Sequence, residues 1–339
     1  MDETGRVLTL EVAAERKRRS LFVDVFARLL REKPLGTFGL VIVLLLLFTG
    51  IFADLAWLGL PDAGLAPYHF NKTNPAHYLN PPSAEHLLGA DNLGRDILSR
   101  LIYGARISLT VGLCATAISA VIGAVIGTLS GYLGGRFDIV MQRFVDAWMC
   151  FPGLIILIAA ISLVGPGIWQ VVVVLGILFG IGGSRIVRGA VIGIKQNMYV
   201  EAAEAIGSST GSMIFRHILP NIMAPMIILF STQVPGIIMI EASLSFLGFG
   251  IPPPFPSWGG MLSRSGRTFM EQAPWMAIWP GAALAVVVYG INMFGDALRD
   301  LLDPRLRGGL GRYSGTKAKL EKRQAEKQEQ VPEAEEGAG

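Results

Sequence analysis

The sequence has 339 residues, which at about 150 residues per domain would suggest two soluble domains. Its composition excludes them, because hydrophobic residues make up 52% of the chain and charged residues only 16%, against roughly 25% charged residues in a soluble domain. The net charge of +3 is too small to indicate a nucleic-acid partner, so the composition predicts an integral membrane protein.

Six apolar stretches are long enough to cross the ~30 Å hydrocarbon core of a bilayer, which needs about 20 helical residues. In chain order the predicted spans are Leu35–Ala53, Ile107–Leu133, Ala147–Val164, Ile168–Ser184, Ile222–Gly250 and Trp275–Gly295. Gly165-Pro166-Gly167 divides one uncharged run into the third and fourth spans, and Pro235-Gly236 predicts a kink or partial break in the fifth. The sequence therefore predicts an all-α fold with six transmembrane helices.

The basic residues predict the orientation of these spans, since loops rich in Lys and Arg stay in the cytoplasm. With the N-terminus inside, the cytoplasmic segments hold 23 basic residues and the external loops six. We therefore expect both termini in the cytoplasm. The first span is expected to be a transmembrane helix rather than a cleaved signal peptide, because the charged leader before it has 34 residues.

These spans predict five segments with different surroundings. They are a basic cytoplasmic segment (1–34), a first transmembrane helix (35–53), an extracytoplasmic loop (54–106), a five-helix core (107–295) with a helical cytoplasmic loop at 185–221, and a cytoplasmic tail (296–339). From about residue 308 the tail is rich in Lys, Glu and Gln and has no aromatic residue after Tyr313. This composition is typical of a disordered, solvated extension.

Catalytic and metal-binding motifs are absent from the sequence. No Gly-Lys pair exists that could belong to the phosphate loop G-x-x-x-x-G-K-[ST]. Four histidines lie in predicted loops without metal-ligand spacing: His69, His77, His86 and His217. The two cysteines, Cys114 and Cys150, lie in or beside apolar spans and support no disulfide framework. We therefore predict no catalytic residue, no metal site and no cofactor in this chain.

The segment after the fourth span has a pattern typical of a helix, a turn and a second helix. It contains Glu201-Ala202-Ala203-Glu204-Ala205-Ile206-Gly207, and Leu219-Pro220 predicts the end of the second helix. Gly207 suits a left-handed C-cap, and the Ser and Thr residues after it can cap the next turn. Apolar residues share a stripe at helical spacing: Tyr199, Val200, Ala203 and Ile206. These residues alone leave two interpretations open. The segment could be an amphipathic helix that lies on the membrane, or a helix that docks on a partner.

This segment resembles the EAA loop of binding-protein-dependent ABC importer permeases. The resemblance rests on a Glu-Ala-Ala triplet, a Gly after three further residues, and Leu-Pro thirteen residues after that Gly. His217 stands where the pattern usually has an apolar residue, as in the peptide-transport branch. The resemblance implies a coupling helix that docks in a cleft of a cytoplasmic ATPase subunit. The coupling residues it implies are Glu201, Ala202, Ala203, Gly207, His217, Leu219 and Pro220.

Two further segments are similar to those of dipeptide, oligopeptide and nickel permeases. One precedes the second span and contains His86-Leu87-Leu88-Gly89-Ala90-Asp91 with Gly94-Arg95-Asp96. The other runs from Glu241 to Gly250 and continues to Ser257-Trp258-Gly259. The likeness covers roughly residues 16–307. It implies the C-type permease of a heterodimeric pair, with the fold of a type I ABC importer permease.

The resemblance also implies the surroundings of the chain. They are a multi-pass location in a bacterial cytoplasmic (inner) membrane, a paralogous second permease, two ATP-binding cassette subunits that bind ATP and Mg²⁺, and an extracytoplasmic solute-binding protein. The implied function is half of an ATP-driven import pathway for peptides or a related small solute. The alternative is a self-contained secondary transporter or channel, which would ordinarily have internal repeats and several ionisable residues at the midplane.

Two features of the spans leave alternatives open. Glu241 lies at membrane depth, where a carboxylate costs ~2.5 kcal/mol or more. It could face a translocation path or gate, or it could make a structural hydrogen bond. A small-residue stripe lets helices pack closely in lipid, either within the chain, which we favour, or against another subunit. The stripe consists of Gly123, Gly127, Gly131 and Gly135.

Overall fold

The computed structural model describes residues 28–55 and 64–302, with the side chains of residues 264 and 265 left aside. Most of the predicted basic leader and the predicted disordered tail lie outside the described residues. The chain divides into two units, and the first includes residues 28–33 and 297–302 of the described part. Within this unit Lys33 Nζ donates to Asp300 Oδ2 at 2.6 Å. The second unit, Pro34–Asp296, contains the features described below.

Helices account for nearly all regular structure in the described ranges, where no β-strand forms beyond a bridge between Ala90 and Asp96. The helices are α1 Pro34–Ile51, α2 Ile97–Leu133, α3 Gly135–Met149, α4 Gly153–Val164, α5 Ile168–Lys195, α6 Met198–Ala205, α7 Thr210–Ser212, α8 Leu219–Phe246, α9 Trp258–Leu262, α10 Arg264–Thr268 and α11 Trp275–Leu302. A π-helical stretch, Met213–Ile218, joins α7 to α8, and a 3₁₀ turn covers Pro75–His77.

Within residues 28–55 and 64–302, five helices are long and apolar enough to cross a membrane: α1, α2, α5, the continuous helix from Thr210 to Phe246, and α11. Helices α3 and α4 pass the same test only as a pair, and they are bent by 86° at the break between them. The structure therefore has five candidate spans, or six if the bent pair counts as one. The predicted all-α membrane fold is confirmed.

The predicted span Ala147–Val164 does not form one continuous helix. Helix α3 ends at Met149, and α4 begins only at Gly153. Pro152 is the N-cap of α4. A proline lacks the N–H that a continuous helix would need, and it disfavours helical geometry at the residue before it. The predicted hairpin at Gly165-Pro166-Gly167 is confirmed, because α4 ends at Val164 and α5 begins at Ile168.

Helix α2 begins at Ile97, ten residues before the predicted start at Ile107. The sequence prediction stopped at charged residues, which are unfavourable in lipid. In the structure these charges have partners on other segments: Arg100 Nη1 donates to Phe70 O at 3.2 Å, and Arg106 Nε donates to Gly50 O at 2.8 Å. Because neighbouring segments satisfy the arginines, the helix extends through them.

The fifth predicted span is longer and less interrupted than expected. The helix is continuous from Thr210 to Phe246, so Leu219-Pro220 does not end a helix and Pro235-Gly236 does not break one. Pro220 lies in the first turn of α8. It lies just after the π-helical stretch, where Leu219 N donates to Ile214 O five residues back, so the hydrogen-bond ladder is already shifted where the proline lacks its N–H. Prolines within membrane helices are also tolerated where neighbouring groups satisfy the freed carbonyls.

Helices α2 and α5 pack closely through glycines. A Cβ atom added to Gly127 would lie 2.6 Å from Ser184 O, and one added to Gly131 would lie 3.0 Å from Arg188 O. At Gly123 the contact is looser, 3.4 Å to Gly180 O. The fourth residue of the stripe, Gly135, lies beyond the end of α2 and has nothing within 4 Å of such an atom. Three of the four glycines thus lie against α5 of the same chain.

Candidate functional site

The segment with the Glu-Ala-Ala triplet forms a helix-turn-helix directly after α5. At the end of α6, Ser208 N donates to Ala203 O at 3.1 Å and Gly207 N donates to Glu204 O at 3.0 Å. Gly207 has φ +81°. These two hydrogen bonds and the left-handed glycine are those of a Schellman cap. After the turn, Ser209 Oγ accepts a hydrogen bond from Ser212 N, which caps α7. The backbone conformation predicted for Gly207 is therefore present.

One face of α6 fixes the segment to the helix bundle. Val200 and Ala203 are buried in a cluster with Met213 and Ile218 of the next helix and Val191 of α5. These contacts are apolar and lie between elements that are adjacent in the chain. We conclude that the helix-turn-helix is held in place by its own chain before any partner binds.

The helix-turn-helix also exposes large apolar side chains. Met198 is 82% exposed, Ile206 84% and Phe215 72%. Ile206 was expected to share a stripe with Val200 and Ala203, but it is the C-cap residue of α6 and its side chain lies away from them. The sequence analysis missed Met198 and Phe215, although both are large apolar residues outside the predicted spans.

The residues implied as coupling residues occupy different environments. Glu201, Ala202, Gly207 and Pro220 are exposed, and Ala203 is buried. His217 and Leu219 are half-buried, and Asn221 Nδ2 donates to His217 O at 2.6 Å. The triplet therefore presents Glu201 and Ala202 outward and uses Ala203 for packing.

A polar network links α2, α3 and α5 near this segment. Arg188 of α5 donates through Nε and Nη2 to the two carboxylate oxygens of Asp138, both at 2.6 Å. Ser130 Oγ also donates to Asp138, and Gln142 Nε2 donates to Ser130 Oγ at 3.0 Å. Such a two-pronged arginine–carboxylate pair fixes both partners in direction as well as distance. The network therefore holds the bend between α2 and α3 against α5.

Replacing Arg188 by Gln is expected to lower the free energy of unfolding by about 1.5–3 kcal/mol, because two hydrogen bonds between charged groups are lost. Arg143→Gln is the matched control. Arg143 forms an ion pair with Asp146 at 3.3 Å, and its side chain is 80% exposed. Its loss should cost about 1 kcal/mol or less. Thermal unfolding of the purified chain in detergent measures both, and equal shifts would contradict the assigned importance of Arg188.

An apolar groove runs between α4, α5 and α8. It encloses about 680 Å³ and is lined by residues that include Leu154, Phe179, Gly182, Ile186, Thr232 and Gln233. Gln233 Oε1 accepts a hydrogen bond from Ser119 Oγ of α2 at 2.8 Å. The sequence analysis did not single out Gln233. A glutamine in the middle of an otherwise apolar span was the available signal.

Glu241 is buried inside the chain. It is 1% exposed, and Ser245 Oγ donates to its Oε1 at 2.7 Å. Ser245 Oγ in turn accepts a hydrogen bond from Ile251 N at 3.2 Å. The carboxyl group thus connects α8, through one serine, to the segment that follows it. This geometry favours the structural alternative for Glu241 over a residue that faces a path.

The two segments outside the coupling loop that carry the family resemblance meet in space. Trp258, only 2% exposed, donates from Nε1 to Leu101 O of α2 at 3.1 Å. A Cβ atom on Gly104 would lie 2.7 Å from the same indole ring. A cavity of about 290 Å³ lies beside this contact, between the two segments, and its lining includes Asp91, Arg100, Ser245 and Phe255. Sequence reasoning did not place these segments together.

Residues 123–308 match the family model described as the binding-protein-dependent transport system inner membrane component. The dipeptide transport system permease protein DppC of Alkalihalophilus pseudofirmus is 38% identical over 278 residues, which cover 82% of this chain and 88% of that protein. The oligopeptide transport system permease protein OppC of Bacillus subtilis is 36% identical over 292 residues, 86% of this chain and 92% of that protein.

A third relative is the glutathione transport system permease protein GsiD of Escherichia coli O6:K15:H31. It is 38% identical over 283 residues, which cover 84% of this chain and 90% of that protein. Among solved structures, an inward-facing MetNI methionine ABC transporter has a TM-score of 0.49 and 17% identity over 60% of this chain and 96% of that one. The family model and the sequence relatives show that this chain belongs to the family of binding-protein-dependent transport system inner membrane components.

Proposed function

We propose that this chain is the C-type permease subunit of an ATP-driven importer for peptides or a related small solute. Family membership supports the transport role, and the three relatives described above carry dipeptide, oligopeptide and glutathione in their names. These solutes share peptide bonds and terminal charges. In the proposed assembly this chain forms one half of a membrane pathway, and a paralogous second permease forms the other half.

The observation that carries the coupling role is the exposure of Met198, Ile206 and Phe215, which we call the apolar docking face. The helix from Thr210 to Phe246 has 37 residues and is therefore about 55 Å long. A bilayer core is ~30 Å thick, so the turns around Phe215 extend beyond it. Large apolar side chains exposed outside the bilayer are typical of a surface that a partner covers. We assign this partner as an ATP-binding cassette subunit, on the cytoplasmic side that the basic residues predict.

The continuous helix offers a direct route for the coupling. Its first turns carry part of the docking face. Its last turns carry Glu241 and Ser245, and Ser245 Oγ accepts the hydrogen bond from Ile251 N. Movement of the ATPase subunits, which bind and hydrolyse ATP with Mg²⁺, would tilt this helix as one body. The apolar groove with Gln233 lies along the same helix, and we assign it to the half of the pathway that faces the second permease. The solute-binding protein would dock at the opposite end, on residues 64–96.

Ile206→Asp is expected to weaken association with the ATPase subunits about tenfold or more, which corresponds to a loss of ~1.4 kcal/mol of binding free energy. The reason is that a carboxylate in an apolar interface has to be desolvated without a partner. Asn197→Asp is the matched control, because it adds the same charge at the exposed N-cap of α6, where Asp is favourable. Co-purification of the assembly from native membranes in mild detergent measures the effect.

The same purified assembly tests the transport function. In proteoliposomes, uptake of a labelled peptide with its binding protein should require ATP on the cytoplasmic side of the membrane. The uptake should persist without an ion gradient. Uptake driven by an ion gradient, with the chain purifying alone, would instead support the secondary transporter. If Asn197→Asp lost as much ATPase association as Ile206→Asp, the effect would not be specific to Ile206. The assignment of the docking face would then be wrong.

A further inference from the structure

Two histidines of the loop before α2, His77 and His86, have side chains that face each other. His77 Nδ1 and His86 Nε2 are 3.2 Å apart, and the two rings meet nearly edge to face at 83°. Zn²⁺ bound to two imidazole nitrogens has Zn–N distances of about 2.0–2.1 Å, so tetrahedral geometry separates the two nitrogens by about 3.3 Å. The observed separation is close to this value.

The side chain of His86 is oriented for metal binding by a carboxylate. Its Nδ1 lies 3.0 Å from Asp96 Oδ1, and both residues are 5% exposed. Asp96 is itself held by hydrogen bonds from the backbone N and the Oγ of Ser99, both at 2.7 Å. A buried carboxylate that accepts the Nδ1 proton leaves the Nε2 lone pair free. This carboxylate–histidine arrangement is the usual support of a metal-ligating imidazole.

A third ligand of suitable chemistry lies beside the pair. One ligand atom each of His77, Glu85 and His86 lie within 4.8 Å of one another. The Glu85 side chain is 61% exposed, so an ion can enter from solvent. Two imidazoles and one carboxylate, with a fourth position open to water, are a donor set typical of Zn²⁺.

We propose that His77, His86 and Glu85 form a Zn²⁺ site, with Asp96 as the residue that positions His86. The ion would tie the loop around residues 77–86 to the first turn of α2, of which Asp96 is the N-cap. No metal site was predicted from the sequence, because no His-Glu-x-x-His motif occurs and the eight-residue separation of His69 and His77 is not a metal-ligand spacing. Only the fold of the loop brings His77 and His86 together. The proposal concerns ion binding alone and stands or falls independently of the transport function.

The test is Zn²⁺ titration of the full chain, purified in detergent with an affinity tag that contains no histidine and stripped with EDTA. We expect one equivalent to bind, and Co²⁺ in its place to give the visible absorption of a tetrahedral nitrogen and oxygen site. His77→Gln should weaken binding by about 100-fold and Glu85→Gln by about 10-fold, since supporting residues of metal sites already contribute 10–100-fold. The control is His69→Gln, a histidine of the same loop outside the cluster.

Failure of the unmodified chain to bind Zn²⁺ at millimolar concentration would overturn the proposal, and His77 with His86 would then be a simple hydrogen-bonded pair. Unchanged affinity in both His77→Gln and Glu85→Gln would overturn it too, as would an equal loss in His69→Gln. If His77→Gln does not fold, Glu85→Gln decides the question, because that side chain is largely exposed and its replacement leaves the packing of the loop intact.

Discussion

Replacing Gly207 by Val should abolish coupling while the chain still inserts and folds. The residue has φ +81°, where a side chain with a Cβ costs roughly 1–2 kcal/mol and a β-branched one is particularly unfavourable. The strain would open the Schellman turn and move Ile206 away from its position on the docking face. We expect co-purification with the ATPase subunits and ATP-dependent uptake to fall at least about tenfold, since ~1.4 kcal/mol is a factor of ten.

Gly207→Asn separates this conformational effect from the loss of the glycine itself. Asn adopts left-handed geometry more readily than other non-glycine residues, and a Cβ atom at this position would meet nothing within 4 Å. We therefore expect Gly207→Asn to keep most of the association and uptake. If Gly207→Val left both assembly and uptake intact, the turn would have no part in docking and the coupling proposal would be wrong.

Gly127→Val is expected to prevent the chain from folding rather than to uncouple it. A Cβ atom there would lie 2.6 Å from Ser184 O and 2.7 Å from Val187 Cβ, so α2 and α5 would have to separate. Overpacking costs about 1–3 kcal/mol and occasionally more, and backbone atoms cannot move aside as a flexible side chain can. Size-exclusion profiles and thermal unfolding in detergent should show little monodisperse protein, with a clearly lowered Tm in what remains.

Gly189→Val is the matched control for Gly127→Val. Gly189 lies on α5, the helix that Gly127 contacts, but a Cβ atom on Gly189 would meet nothing within 4 Å. Gly123→Ala should be intermediate, since the nearest atom would lie at 3.4 Å. A Tm for Gly127→Val equal to that of Gly189→Val would show that the α2–α5 contact is not the close helix packing we describe. Gly135→Ala tests backbone strain rather than close packing, because Gly135 has φ +54° and no close neighbour.

We expect the stability of the helix-turn-helix and its proposed coupling function to depend on different residues of the same short helix. Val200 and Ala203 pack inward with Met213 and Val191, and mutations there should act through folding. Ile206 and Met198 are exposed, and mutations there should act through binding. The Glu-Ala-Ala triplet contains residues of both kinds, since Ala203 is buried whereas Glu201 is exposed. Uptake measurements on the triplet therefore need a stability measurement on the same variants.

Several features were predictable from the sequence because they depend on local properties. Apolar run length and the breaker Gly165-Pro166-Gly167 predicted most of the spans, since bilayer thickness and backbone chemistry act on contiguous residues. The left-handed turn at Gly207 was predictable for the same reason, because only the residue type and its place after a helix matter. The resemblance carried by Glu201–Gly207 and Leu219-Pro220 predicted the family that the comparisons show.

Other features depended on residues that are far apart in the sequence. Arg106 could remain within α2 only because Gly50 and Asp54 accept its hydrogen bonds. Nothing in the local pattern of the second span contains that information. The burial of Glu241, which is only 1% exposed, likewise depends on the elements packed around α8, whereas its hydrogen bond with Ser245 is local to one helix. The sequence left two alternatives for this carboxyl group because burial is a property of the packed molecule.

The sequence by itself thus determined that the chain is a helical membrane permease, where most of its spans lie and which segment carries the coupling motif. Only the tertiary structure decided that Ile206 and Phe215 are both exposed, that Gly127 contacts α5, and that His77 and His86 meet. The physical reason is that hydropathy and backbone preferences act over a few residues. Side-chain neighbours, in contrast, are set by the packing of helices and loops that are distant in the chain.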